Sequence, residues 1–142
     1  MKILLFNSQD AKLELPEGPS LADGIPSVYA SLGLLTLGSA LEERLKEAKT
    51  QIDVLYYDGA LLGNRWFIQY LQEHHAEIAL IAYSTYVFNY PPSAEIARLA
   101  KSLNPKVYNV VGNDHFSALY QEVMANRPEF DFGFYGNDVV EG

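Results

Sequence analysis

Few side chains in this sequence could carry a reaction. Its imidazoles are His74, His75 and His115, and it contains no cysteine. Without thiols, disulfides, thiolate metal sites and an iron–sulfur cluster are excluded within these residues. His74 and His75 are adjacent, and side chains at i and i+1 of a helix diverge. That pair reads as a solvated helix end, where the dipole favours cations, and no metal-ligand set is expected. His115 lies within "VVGNDHFSA" (110–118), in which an apolar run breaks at Gly112 and passes through Asn113 and Asp114. Asp114 with His115 could form an acid–base pair. A turn residue and a ligand contact are the other readings of His115, and the residues alone leave them open.

The elements that must position these groups alternate along the chain. "KILLF" (2–6), "IDVLYY" (52–57), "IALIAY" (78–83), "KVYNVV" (106–111) and "FDFGFY" (130–135) are short β-branched or aromatic runs. Such runs read as strands, and buried parallel strands need not alternate in polarity. Between them, Leu34, Leu37, Leu41, Leu45 and Ala48 mark one helical stripe. Asn64 is the expected cap of a second helix, which presents Phe67, Tyr70, Leu71 and His74 on one face. Pro91 and Pro92 suit the first turn of a third, which turns Ile96, Leu99, Ala100 and Leu103 inward and stops at Asn104-Pro105. A weaker fourth helix is expected from about Ser117 to Ala125, before Pro128.

This rhythm predicts an α/β protein with right-handed crossovers. Five strands of this kind form a flavodoxin-like (Rossmann-like), doubly wound parallel sheet of order 2-1-3-4-5. Ligands bind such sheets outside the carboxyl ends of the strands, near the switch point between the first and third strands. The relevant residues are therefore Asn7 and Ser8 in the first loop, and Ser84, Thr85 and Tyr86 after the third strand. Gly112, Asn113 and His115 follow the fourth strand, and Gly136 the fifth. The first loop, "NSQDAKLELPEGPSLADGIPSVYA", is long, and loops of that length are usually functional. No Gly-x-Gly-x-x-Gly follows the first strand and no Walker motif occurs. A hydroxyl- and glycine-rich phosphate loop is also missing there, and "AYST" lacks the aspartate of a receiver domain.

Composition narrows the classes further. The 142 residues make one domain, with 49% hydrophobic and 20% charged residues. A net charge of -8 is the wrong sign for a phosphate backbone, so no nucleic-acid partner is expected. No run approaches the ~20 apolar residues of a membrane span, and "MKILLFNSQD" is too soon polar for a signal peptide. The cytoplasm is the expected compartment.

"PSVYASLGLLTLGSALEE", "IDVLYYDGA", "IALIAYSTYVFNYPPSAEIARLAKSLNP", "VYNVVGNDHFSALYQEVM" and "FDFGFYGNDVVEG", in that order, resemble the N-terminal cobalamin-binding domain of radical S-adenosylmethionine enzymes. Members typically carry Pro-x-Leu-Gly at the first helix, a Gly-Gly-x-His-like turn after the fourth strand and an Arg-Gly-Glu-like close. The counterparts here are Leu32-Gly33, Gly112-Asn113-Asp114-His115 and Gly136-Asn137-Asp138. Each motif is short, and their order and spacing carry the resemblance across almost the whole chain.

The resemblance implies cobalamin as cofactor, with its nucleotide tail between strand ends and Gly112 admitting close approach. It implies hydroxyl contacts from Ser84 and Thr85, whose alternative role is a helix-initiating turn. Histidine-ligating relatives carry Asp-x-His-x-x-Gly after the first strand. This chain keeps Asp10 but has Lys12 and Leu15 in place of the histidine and glycine, so no axial histidine is expected from that loop. Asn113 replaces the second glycine of the turn.

The implied function is a cobalamin domain of a methyltransferase-type enzyme, residues 1–142 being part of a longer chain. The iron–sulfur cluster and S-adenosylmethionine would belong to a downstream module, and no catalytic residue is expected in this chain. With no fifth helix on one sheet face, an apolar patch should remain there for that module or for a second copy in a homodimer. A degenerate domain that lost its cofactor and serves as a channel wall or docking surface is the rival reading.

Overall fold

The structure is a computed structural model that describes residues 1–9 and 32–136. Five strands, β1 (Lys2–Asn7), β2 (Asp53–Asp58), β3 (Ile78–Ser84), β4 (Tyr108–Gly112) and β5 (Phe132–Gly133), form one sheet of order β2-β1-β3-β4-β5. Every neighbouring pair is parallel. The helices are α1 (Leu32–Glu47), α2 (Gly59–Leu62), α3 (Asn64–His74), α4 (Tyr90–Leu103) and α5 (Asp114–Asn126). A 3-10 turn, His75–Glu77, follows α3. The expected flavodoxin-like α/β architecture is the one observed.

Side chains alternate across a strand, and the register turns that alternation into layers. On one face, Leu5 of β1 lies level with Tyr56 and Ala82, and Ala82 with Val110. These residues pack with Leu34, Leu37 and Leu41 of α1. The approach is close, since a Cβ on Gly38 would stand 3.0 Å from Leu5 Cδ1. Against the opposite face, α3, α4 and α5 bury Phe67, Leu71, Ile96, Ala97, Ala100, Phe116 and Val123 on Leu4, Phe6, Ile81, Tyr83 and Val111. The Phe6 and Phe67 rings stack there, with centroids 3.8 Å apart and planes 4° from parallel.

This division leaves three longer helices on one face and, among the described residues, only α1 on the other. The α1 face is open over β4 and β5, where Tyr108 is 52% and Phe132 55% exposed and their rings touch, with centroids 5.7 Å apart.

Two expectations change. Asn64 does not cap its own helix. Gly63 holds the cap position, and Asn64 Oδ1 instead accepts the Gln9 N–H at 2.7 Å, which ties α3 to the end of β1. The fourth helix starts at Asp114 rather than near Ser117, because the backbone reverses at Asn113 (φ 81, ψ -169) straight after the strand. His115 therefore sits in the first helical turn.

At Gly133, a Cβ would overlap the ring of Phe116, which is fully buried. Gly133→Ala should displace that ring and cost about 1–3 kcal/mol. A fall in the urea midpoint at unchanged slope is the expected reading.

Candidate functional site

The strand register sets a polar row across the carboxyl end of the sheet. Asp58 lies level with Asn7, Asn7 with Ser84, and Ser84 with Gly112. By alternation all four face the α1 side. Asn7 Nδ2 donates to Asp58 Oδ1 at 3.1 Å, and that oxygen also accepts the Ala60 N–H, capping α2. Asn7 and Ser8 are buried. The Ser8 hydroxyl bonds Asn89 O and Ser93 Oγ at 2.8 Å each, so both expected contacts of the first loop are engaged within the protein.

Asn89 joins these groups. Its Nδ2 donates to Asn7 Oδ1 and to Ser84 O at 3.1 Å each, and its Oδ1 accepts the Tyr86 N–H at 2.6 Å. Buried polar groups are costly unless bonded, and one amide here serves the ends of β1 and β3 together. Sequence reading missed Asn89, Asp58 and Ser93. The available signals were an asparagine directly before Tyr90-Pro91-Pro92 and the Asp58-Gly59 turn.

Thr85 stitches β3 to β4. Its N–H and its hydroxyl donate to Gly112 O at 3.0 and 2.8 Å, and its carbonyl accepts the His115 N–H at 3.2 Å. That arrangement is the helix-initiating role, reached with a fully buried side chain. Tyr86 is exposed and continues into Val87 and Phe88, which are 67% and 59% exposed. Phe134 and Tyr135 form a second exposed apolar stretch beyond β5.

Gly112 does not have a positive φ; the unusual backbone belongs to Asn113. Its φ of 81° with ψ of -169° is a region otherwise kept for glycine, costing a side chain about 1–3 kcal/mol. Asn113 Nδ2 donates to Ser84 Oγ at 2.9 Å. Among the described residues and apart from its chain neighbours, a Cβ added at Gly112 would meet Phe134, its Cβ at 3.6 Å and its O at 3.7 Å, which is ordinary contact. Gly136, at φ 99, donates its N–H to Ser117 Oγ at 3.1 Å, and no described residue beyond its chain neighbours lies within 4 Å of where its Cβ would stand. The structure thus gathers Ser84, Thr85, Gly112, Asn113, His115 and Gly136 around the ends of β3 to β5. Asn7, Ser8 and Tyr86 border the β1–β3 side. Asp10, Lys12, Leu15, Asn137 and Asp138 lie outside the described residues.

The His115 ring packs against Tyr90 in a tilted pair, with centroids 4.2 Å apart and planes 33° from parallel, at the α4–α5 contact. Burial holds its imidazole below the ordinary value, against the opposing pull of Glu122. His74 bonds Glu77 at 3.3 Å at the other end of the sheet, as a helix-terminal histidine would. A recess of about 410 Å³ between α3 and α4, lined by Ile68, Pro92, Ile96 and Leu99 among others, includes none of the expected site residues.

The model of the B12 binding domain matches residues 21–141. The chain belongs to the B12-binding domain family. No curated protein matches its sequence. Membership supports cobalamin as the ligand, and the residues present fit it. Cobalamin is a broad macrocycle edged with amides and bearing a long nucleotide tail. The chain offers exposed apolar side chains beyond the strand ends, hydroxyls and amides beneath them, and glycine backbone at Gly112 and Gly136. No helix among the described residues is long and apolar enough to cross a membrane.

The depressed pKa of His115 gives a pH signature. The unfolded chain takes up this proton near pH ~6.5, before the folded one does. Its contribution to stability is therefore complete above that pH and is lost as pH falls through the folded pKa. His115→Phe keeps the ring contact with Tyr90 and removes the proton. Wild type should lose more melting temperature than this variant between pH 7 and 5.

Proposed function

We propose that this domain binds cobalamin across the carboxyl ends of β1, β3, β4 and β5 with no axial histidine from the first loop. The observation that carries this reading is the bare backbone of Gly112 on the half-open α1 face. Among the described residues, and apart from its chain neighbours, a side chain there would meet Phe134 at ordinary contact distance, so these residues do not require the glycine. Gly112 and Gly136 would border the nucleotide tail. Tyr86, Val87, Phe134 and Tyr135 would border the ring. Bound cobalamin would supply a cobalt centre able to carry a methyl group. The chain's own residues bind and orient that group and keep water from its inner side.

The same reading places the domain in a cytoplasmic radical S-adenosylmethionine methyltransferase. The chain holds no cysteine, so a cluster would come from a downstream module. The exposed Tyr108 and Phe132 give that module an apolar face to cover. One observation favours the degenerate-domain reading: the Asn7, Ser8 and Thr85 side chains are all bonded internally.

Titration with hydroxocobalamin, followed by visible spectrum, tests the proposal. Binding should give a spectrum unchanged by replacing any of the three histidines. Gly112→Ala should stay folded, with its melting temperature nearly unchanged, while affinity falls at least tenfold. Unchanged affinity in this variant would remove Gly112 from the site, and absence of binding by the wild type would favour the degenerate domain.

A further inference from the structure

We infer that Ser84 and Asn113 form a clamp that holds the Asn113 amide out of the cofactor slot. Ser84 then acts on cobalamin binding through Asn113, as a positioning residue, and does not touch the cofactor. The inference rests on the cobalamin reading above. Its basis is the combination of a side chain at a glycine-type backbone position and a partner that draws that side chain aside.

Asn113 follows Gly112 directly, with φ 81 and ψ -169. Its side chain therefore leaves the backbone in a direction that a glycine would keep empty. Ser84 ends β3 on the α1 face, in the row of Leu80 and Ala82, and lies level with Gly112 of β4. The 2.9 Å bond from Asn113 Nδ2 to Ser84 Oγ thus draws the amide across the sheet, from β4 toward β3. On the other side, the same face is open over β4 and β5, as the exposure of Tyr108 and Phe132 shows. Released from Ser84, the amide can rotate about χ1 into the space above Gly112, where, among the described residues and apart from the chain neighbours, Phe134 comes within 4 Å of a Cβ position. The Ser84 side chain is itself 4% exposed, so it offers a ligand little surface. Its backbone carbonyl stays fixed by Asn89 whatever happens to the hydroxyl.

A mutant cycle on the full chain tests this, with hydroxocobalamin as probe and melting temperature recorded for every variant. Ser84→Ala should weaken binding about tenfold by freeing the amide. Asn113→Gly and Asn113→Ala should bind at least as tightly as wild type, since each removes the amide. Ser84→Ala added to either Asn113 variant should change affinity less than twofold. Asn113→Ala retains the strained backbone, so agreement between the two Asn113 variants separates the amide's effect from relief of strain. Equal weakening by Ser84→Ala in all backgrounds would mean direct contact with the cofactor and would overturn the clamp alone. No weakening in the wild-type background would also overturn it. A wild type that binds no cobalamin would overturn the clamp and the cobalamin reading together.

Discussion

A buried parallel sheet ends in backbone carbonyls that its own ladder cannot satisfy, and in this protein a single amide answers much of that need. Asn89 donates to the Ser84 carbonyl and to the Asn7 side chain, while accepting the Tyr86 N–H. It thereby fixes where β1 and β3 stop, and where α4 begins beneath Pro91 and Pro92. Asn7 passes the constraint on to Asp58, and Ser8 to Ser93. Because Asn7 and Ser84 are buried, loss of the amide would strand polar groups on both strands at once. A second buried asparagine works deeper in the same sheet. Asn109 donates to Ala97 O and Glu129 O and accepts from Tyr83, joining α4, β4 and the segment before β5.

The candidate site follows from this rigid end and from an imbalance of helices. Three longer helices fill one face, and α1 alone packs on the other among the described residues. Near the part that the described residues leave uncovered, β4 ends on a residue without a side chain, Gly112, and Gly136 follows β5. Thr85 locks β3 to β4 just beside them, so the opening has a fixed wall. Asn113 is the departure from a smooth glycine turn. Its backbone keeps the conformation that a second glycine would adopt, although the residue carries a side chain.

Much of the architecture was legible in the sequence because hydrophobic period and chain punctuation are local. Apolar runs marked all five strands, and Pro91, Pro92 and Asn104-Pro105 bounded α4 within a residue or so. The stripe from Leu34 to Leu45 turned inward as expected, while Ala48 falls past the end of α1. Local signals failed where the partner of a polar side chain was far away in sequence. Asn64 reads as a cap, yet Gln9 takes its oxygen across 55 residues. The helix after Gly112 looked weak near its start, because nothing local announces that the Thr85 carbonyl receives the His115 N–H.

The sequence by itself therefore determined the α/β class and the strand order, and it excluded a cysteine-held cluster within these residues. Each follows from composition or from periodicity over a few residues. Tertiary structure decided what the polar residues at the strand ends do. It turned Asn7, Ser8 and Thr85 into internal fastenings, set the His115 ring against Tyr90, and left Gly112 as bare backbone beside an amide tied to Ser84. The reason is physical: an asparagine or serine has the same donors and acceptors wherever it stands. Only the register of strands and the closeness of helices determine whether its partner is the protein or remains to be supplied.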